Sequence, residues 1–558
     1  MPTLDWIGKK AVVNFQSKVP FHLLKCHEEL SVGDPGSGNL LVEGDNLVAL
    51  KALLPYYAGQ VKCIYIDPPY NTGETGWVYK DNVNAPETLD WLGKVVGKET
   101  EDLSRHDKWL CLMYPRLELL RFFLRKDGLI FVSIDENEVA HLRLLMDEIY
   151  GPTNAMGTLV WKRRSSSAMR GTPLSIDHEY VLVYARNSKE ARIYGLDKGP
   201  EGYPYHDDKR RYASTDLTVG MAKEARPNQF FPITNPRTGK IYQPNPARVW
   251  RFNPETMQKV IEADLIIWPD EAGGNMERPR YKTYYDPNSE KPKPVSTWIE
   301  SSGVADRVIS AIEEEYDIQI LTSGMTQEGG KLLAQIMGRK VFDYPKPLSL
   351  ICSIIRSATR GTDLILDSFA GTGTTGHAVL EVNKLDGSNR RFVMVEMESM
   401  IAQQITRERL RRVIDSYDSK AKRGQEVGLQ GTDGGFRYCN LGIPLFDNNG
   451  NITKEITFSE LAGHVYFTET GEPIPCEAEH PEPLLGAYNG TAIYLLYNGI
   501  LGDKTPQGGN VLTRAVLSGL PPFDGPKVIY GTSCRIGEER LKSERITFKQ
   551  IPYEVRVH

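Results

Sequence analysis

Short apolar runs bounded by turn residues alternate along this chain with longer stretches whose apolar positions recur at helical spacing, the pattern of a parallel α/β sheet. Asn39–Glu43 (NLLVE) reads as a buried strand, Asn46–Leu54 as a helix, Val61–Ile66 as a strand, Trp109–Leu124 as a helix and Gly128–Ile134 as a strand. Glu138–Ile149 follows as a helix, with strands expected at Thr158–Lys162 and Tyr180–Tyr184. Beyond about Lys189 the alternation gives way to a stretch rich in Tyr, Trp, Pro, Gly, Arg and Lys, which reads as an inserted domain running to about Asp306. The regular pattern then returns: a helix at Leu348–Ser357, a strand at Asp363–Leu366, a Gly-rich turn, a helix from Thr375 to about Asn383, a strand at Phe392–Val395 and a charged helix at Ile401–Ile414. Gly428–Gly435 reads as a linker to a C-terminal module with strands at Ala492–Tyr497, Lys527–Tyr530 and Ile546–Ile551 and helices at Leu512–Leu517 and Gly537–Ser543.

Composition narrows the class. At 558 residues, 40% hydrophobic and 25% charged, the chain has the make-up of a globular enzyme of about three or four domains. A formal net charge of −5 removes whole-chain basicity as a basis for binding nucleic acid, so a polyanion site has to be a local patch. The seven cysteines are scattered without a C-x-x-C pair, which indicates neither a disulfide framework nor a zinc knuckle and suits a reducing cytoplasm. No signal peptide or membrane span is expected. No His, Cys, Asp or Glu group has metal-ligand spacing, His106-Asp107 reads as an incidental pair, and no metal is expected.

The turn from Asp367 to Gly376 (DSFAGTGTTG) lies between a strand and a helix and contains G-x-G-x-x-G at Gly371, Gly373 and Gly376. Glycines there let the backbone approach a ligand closely, although a tight strand-to-helix turn accounts for the same residues. Glu396 at the end of the next strand is placed to accept both hydroxyls of a ribose, which points to an adenosine-containing cofactor. His377 and Ala378 stand where a triphosphate-binding loop needs Lys and then Ser or Thr, so ATP is disfavoured. A nicotinamide dinucleotide is not excluded by the loop alone, but Asp367 would repel its diphosphate and attract a cationic amino-acid head group. S-adenosylmethionine fits best.

Asp67-Pro68-Pro69-Tyr70 directly follows the Val61–Ile66 strand, where active sites of open α/β sheets lie. The exocyclic amine of a base is a poor nucleophile because its lone pair is conjugated into the ring. Accepting its two hydrogens, on the Asp67 carboxylate and the Pro68 carbonyl, draws the nitrogen toward a tetrahedral shape, and Tyr70 offers a ring for stacking on a base taken out of its duplex. A strand-ending turn with a packed tyrosine is the plainer alternative.

IDPPYNTG followed later by LDSFAGTGTT resembles the amino-methyltransferases of DNA, in the motif order of their permuted β group. LLVEGDNLVALKALLP, WLCLMYPRLELLRFFLRKDGLIFVSID, DHEYVLVYARN, FDYPKPLSL and ITFKQIPYEV are similar to the modification subunits of type III restriction-modification systems, and the similarity covers most of the chain. The resemblance implies Asp67, Pro68, Pro69 and Tyr70 as the catalytic loop, Asp367, Phe369, Gly371, Gly373, Thr374 and Thr375 as the cofactor loop, and Glu396 as the ribose-binding acid. It places Asp45 opposite the cofactor's adenine, where a helix N-cap is an equally good and compatible reading, and Lys346 in the motif leading to the methionine end. Ser368 stands where many relatives carry proline.

The implied fold is a circularly permuted, seven-stranded Rossmann-like methyltransferase sheet with a target-recognition insert and a small C-terminal α/β module. Its divisions are 1–188 and 307–427 for the two halves of the catalytic domain, 189–306 for the insert and 436–558 for an assembly module. Basic residues interleaved with aromatics in the insert, Lys209, Arg210, Arg211, Arg278, Arg280, Tyr281 and Lys282 among them, suit phosphate contacts and stacking; a solvated basic face would look the same. Lys80, Arg163 and Arg164 are expected to hold the displaced strand, whereas the helix bearing Arg407, Arg409, Arg411 and Arg412 reads as a solvated surface and His377 as a helix-surface residue. The resemblance implies an adenine-N6 enzyme acting on double-stranded DNA, a homodimer, and docking of a helicase-nuclease restriction subunit. Cytosine-N4 or RNA methylation, a DNA-binding subunit with a vestigial site, and a nicotinamide oxidoreductase are the competing readings.

Overall fold

The computed structural model of the chain describes residues 4–72, 92–97, 103–165, 174–195, 203–272, 276–284, 294–304, 309, 313, 318–420, 426–429, 431–432, 434–446, 452–453, 456–470, 474–475, 482–498, 505 and 509–551. Two compact units divide it, Met1–Arg192 with Gly324–His558, and Ile193–Ser323.

In the first unit nine strands among the described residues lie side by side: β1 (His22–Gly33), β2 (Leu40–Glu43), β3 (Val61–Ile66), β4 (Leu124–Ile134), β5 (Ala155–Lys162), β6 (His178–Ala185), β7 (Leu364–Asp367), β8 (Arg391–Glu396) and β9 (Gly435–Pro444). Their order is β1-β9-β2-β8-β7-β3-β4-β6-β5. From β9 to β4 every pairing is parallel, and the helices α1 (Asn46–Tyr57), α2 (Arg105–Phe123), α3 (Val139–Tyr150), α4 (Leu348–Ala358), α5 (Thr374–Asp386) and α6 (Arg407–Asp415) occur between or after those strands. Every residue of β3 is buried, as a strand covered on both faces requires. That includes Lys62, whose ammonium donates to the Asp127 carboxylate at 2.9 Å and to its carbonyl at 2.7 Å.

The seven strands read from the sequence are adjacent in this sheet, and two more extend it. β1 is heavily charged and β9 begins at the glycines that read as a linker, so neither carries a buried-strand pattern; half-exposed strands near a sheet edge do not need one. Residues 435–444, placed at the head of the C-terminal module by the sequence, thus belong to the main sheet. β6 runs antiparallel to both β4 and β5, a departure from an all-parallel sheet. No helix among the described residues lies between β5 and β6, and without a crossover a strand pairs by reversing.

Opposite positions on β1 and β9 bring Cys26 and Cys439 together as a disulfide. Scattered cysteines had argued against one; a pairing across 413 positions depends on strand register, which spacing does not show. The rest of the C-terminal region has a four-stranded sheet, ordered Leu484–Tyr488, Thr491–Leu495, Lys527–Gly531 and Ile546–Gln550. Its core includes Phe21 and Leu445 beside Ile493 and Tyr530.

The second unit holds a four-stranded antiparallel sheet, ordered Ile266–Ile267, Arg280–Tyr284, Arg211–Asp216 and Tyr205–His206. Trp250, Trp268, Met257 and Ile266 pack into its small core. Among the described residues no helix is long and apolar enough to cross a membrane.

Candidate active site

Four neighbouring parallel strands, β2, β8, β7 and β3, end at one edge of the sheet, and each delivers a carboxylate there. Asp45 lies two residues past β2, Glu396 and Asp367 close β8 and β7, and Asp67 directly follows β3. This is the carboxyl edge at which open α/β sheets bind ligands.

The turn after β7 is shaped by its own hydrogen bonds. Asp367 accepts from the Phe369 N–H at 2.9 Å and the Thr375 hydroxyl at 2.6 Å, and Glu396 accepts from the Gly371 N–H at 2.7 Å and the Glu398 N–H at 3.0 Å. Gly371 and Gly373 have φ of 50° and 75°, a region that glycine enters without steric cost. The third glycine of the motif has a packing reason, since a Cβ on Gly376 would lie 2.8 Å from Met394 Cε and 3.1 Å from Leu410. Burial pushes the Asp367 carboxyl up to about 7 against the hydrogen bonds from Thr375 and Phe369, and pushes Glu396 up to about 8 against those from Glu398 and Gly371. Neither has a Lys or Arg partner among the described residues. The Ser368 hydroxyl beside them is buried without a hydrogen bond. Two desolvated carboxyls and an orphaned hydroxyl around a glycine turn are what a cationic, hydroxyl-bearing ligand would satisfy.

Asp45 fills the capping role that the sequence allows. One carboxylate oxygen caps α1, accepting from Leu47 N at 2.9 Å and Val48 N at 3.1 Å, while the other meets Arg116 at 3.3 Å. Asn46 and Arg116, which sequence reasoning missed, tie this corner to the glycine turn: Arg116 donates to the Asn46 carbonyl oxygen, and the Asn46 amide donates to the Ser368 carbonyl at 3.1 Å.

The loop after β3 is braced at Asp67, Pro69 and Tyr70. The Asp67 Oδ1 accepts from the Tyr70 hydroxyl at 2.8 Å and pairs with Lys346 at 3.0 Å. Lys346 also reaches Glu179 at 3.3 Å and lies 4.7 Å over the Tyr70 ring. It therefore stands at the Asp67 carboxylate itself. Glu179 on β6 is a further residue that the sequence reading missed; it accepts from Tyr70 at 3.2 Å and from Arg163 at 2.9 Å. Trp109 of α2 donates to the Pro69 carbonyl at 2.6 Å. Among the described residues, Asp67 Oδ2 and the Pro68 carbonyl accept no hydrogen bond, which leaves two acceptors open in one turn. Burial pushes the Asp67 carboxyl up, partly offset by Lys346. Burial alone would lower the Lys346 ammonium, but Asp67 and Glu179 outweigh it and hold it above the ordinary lysine range.

Other expected site residues divide by their surroundings. Arg163 is held by Glu179 and Arg164 lies 3.6 Å from Asp177, while Lys80 lies outside the described residues. In the second unit Lys209, Arg210, Arg211 and Arg278 are exposed. Arg280 donates to the Ser214 hydroxyl and carbonyl at 2.7 Å each, Lys282 bridges Asp207 and Asp264 at 3.2 Å, and the Tyr281 ring packs on Phe252. These last three build the unit's own sheet. Two surface readings are corrected: Arg409 is fully buried, donating to Thr372 Oγ1 at 3.0 Å and Thr374 Oγ1 at 2.8 Å, and His377 is buried against it. Burial lowers that imidazole to about 4, so it accepts from Arg409 as a neutral ring. The charged pattern of this helix hid one arginine that turns inward to brace the glycine turn.

A third grouping, unforeseen because His106 lies 32 positions before Glu138, joins His106, Glu138 and His141, with one ligand atom from each within 4.8 Å of the others.

Residues 61–407 match the family model of N6/N4 methyltransferases, described as DNA methylase. The chain is 31% identical to the type III restriction-modification enzyme StyLTI Mod subunit of Salmonella typhimurium, over 78% of this chain and 66% of that protein. It is 28% identical to the EcoPI Mod subunit of Escherichia phage P1, over 84% of this chain and 74% of that protein. The type II methyltransferase M.KpnI of Klebsiella pneumoniae is 30% identical over 66% of this chain and 82% of its own length. The match with the StyLTI subunit thus spans just under two thirds of that relative.

Proposed function

The chain belongs to the N6/N4 DNA methylase family, and from that membership we propose that it methylates adenine N6 at a specific site in double-stranded DNA, as the modification subunit of a type III restriction-modification system. The observation that carries the reading is the delivery of Asp45, Glu396, Asp367 and Asp67 to one sheet edge by four adjacent strands. S-adenosylmethionine fits the first three: Glu396 would suit its ribose hydroxyls, Asp367 its cationic amino-acid end and Asp45 its adenine side, beside the turn from Phe369 to Thr375. When bound it supplies an electrophilic methyl group on a sulfonium.

The protein's own part is to make the amine nucleophilic. Asp67 Oδ2 and the Pro68 carbonyl accept the two amine hydrogens and draw the nitrogen's lone pair out of conjugation. Trp109, bonded to the Pro69 carbonyl, keeps the loop from relaxing away. As the nitrogen gained its bond to the methyl carbon, the carbon–sulfur bond would break to leave a neutral thioether, and the positive charge would pass to the nitrogen, where the neighbouring Asp67 carboxylate stabilises it. That cation then loses its proton to Asp67 or to water, restoring a neutral amine. Tyr70, held by Asp67 and Glu179, presents its ring to the flipped base.

Lys346 tunes this carboxylate. Replacing it with Gln removes the charge that offsets burial, so Asp67 titrates at higher pH. The acidic limb of the kcat profile of K346Q is expected to move upward relative to wild type, measured by methyl incorporation across pH; an unmoved limb would separate Lys346 from the Asp67 titration.

The exposed cations of the second unit, Lys209, Arg210, Arg211 and Arg278, support its reading as the target-recognition part, with phosphate contacts positioning the duplex. We propose further that it works as a homodimer with a helicase-nuclease partner, on DNA in the cytoplasm, as the likeness to type III Mod subunits suggests. The test is modification-sensitive sequencing of DNA from a methylation-free host expressing the chain. One short motif carrying N6-methyladenine is expected; N4-methylcytosine would reassign the base, and no modified base with a folded, cofactor-binding protein would refute the activity.

A further inference from the structure

Glu138 stands at the N-terminal end of α3 with its side chain fully buried. Its two oxygens face His106 Nδ1 at 2.7 Å and His141 Nδ1 at 2.8 Å, and the Asn71 amide also donates to it. No Lys or Arg among the described residues pairs with it. The two imidazoles are its only candidate counter-cations among the described residues, and beside neutral rings a buried carboxylate is costly. Each imidazole turns its Nδ1 toward this carboxylate, so the two nitrogens and the carboxylate converge, with one ligand atom from each residue within 4.8 Å of the others; an ion bound there takes the place of the hydrogen that each Nδ1···O contact shares. Neither Nε2 has a partner among the described residues, the rings lie 4.7 Å apart, and the two side chains are 38% and 33% exposed. Two partly exposed imidazoles whose Nδ1 atoms face one buried carboxylate form a nitrogen, nitrogen and oxygen set that an ion can reach from solvent.

We propose that His106, Glu138 and His141 bind a divalent transition-metal ion of the zinc class. Two nitrogens and one carboxylate suit zinc and its borderline neighbours, whereas magnesium and calcium favour oxygen throughout. The ion supplies the charge that Glu138 lacks, and solvent completes its coordination. The site backs directly onto the loop after β3. Asn71, the residue after Tyr70, is buried in a left-handed conformation with φ 59° and donates to Glu138 and to the Arg105 carbonyl at 3.2 Å. An ion that holds Glu138 in place therefore holds Asn71, and with it the turn that carries Asp67. This binding is independent of methyl transfer and does not rest on the assigned reaction.

The full chain, stripped with a chelator, is titrated with zinc chloride by calorimetry and with cobalt chloride by absorption, alongside H106A, H141A and the double variant. Saturation at one ion per chain, a cobalt spectrum without thiolate charge transfer, and affinity weakened about ten- to hundredfold by each histidine change are expected. Retained S-adenosylmethionine binding shows that the variants are folded. Should they not fold, the cobalt spectrum of the wild type decides: imidazole and carboxylate ligation supports the site, and thiolate ligation overturns it. Absence of saturable binding to the wild type, or equal affinity in the folded double variant, also overturns it.

Discussion

Replacing Asp67 with asparagine is expected to lower methyl transfer by on the order of a thousandfold while leaving S-adenosylmethionine affinity nearly unchanged. One oxygen of this carboxylate is committed to Tyr70 and Lys346, so the open oxygen is the one that meets the amine. Asparagine keeps the size of the side chain but turns either the amide toward the amine, donor against donor, or the oxygen toward it without the charge that steadies the cationic product. Glu179 continues to hold Lys346 and Tyr70, so the loop retains its other anchors. Single-turnover transfer and equilibrium binding, measured on the same preparation, separate the two effects. Turnover near the wild-type rate would remove Asp67 from the chemistry.

The second large effect is a pH dependence of cofactor binding. In the free protein the Asp367 and Glu396 carboxyls hold protons up to about 7 and about 8 because burial disfavours their charge. A cationic amino-acid end against Asp367, and ribose hydroxyls donating to Glu396, favour the ionised forms. Binding therefore releases protons. Affinity is expected to rise as pH increases through this window, by up to about tenfold per pH unit for each proton released, and to level off above it. Calorimetry in buffers of different ionisation enthalpy counts the protons directly. E396A is expected to weaken binding by about 1–3 kcal/mol and to flatten the upper part of the dependence, leaving the part due to Asp367. A pH-independent affinity in the wild type would mean that these carboxyls do not face the ligand.

Much of this site was legible from residue order. Asp67, Asp367 and Glu396 each sit at the end of an apolar run, and a buried parallel strand ends where its apolar run ends. Asp45 was legible for the same reason, with its capping role visible in the helix that follows. Lys346 was expected at the cofactor's methionine end, and its pairing with Asp67 was not foreseen because nearly three hundred residues of intervening chain hide it. Glu179 lies one position before the run that reads as the strand Tyr180–Tyr184, where nothing local marks it. Arg409 and His377 were misjudged because a helix with several arginines reads as solvated, and only the packing of α6 on α5 shows which arginine turns inward. In the His106, Glu138 and His141 group the last two share helical i,i+3 spacing, but the arrival of His106 from another helix is not visible in any spacing.

The sequence by itself determined the alternation of strands and helices, the two glycine- and proline-bearing turns and the chemistry they imply, because burial periodicity and turn geometry are local properties of the chain. Tertiary structure alone decided the order of the strands, the two additions to the sheet, the reversal of β6 and the partners of each buried charge. Those depend on which distant segments meet, and a buried charge is tolerated only where its partner arrives from elsewhere in the fold.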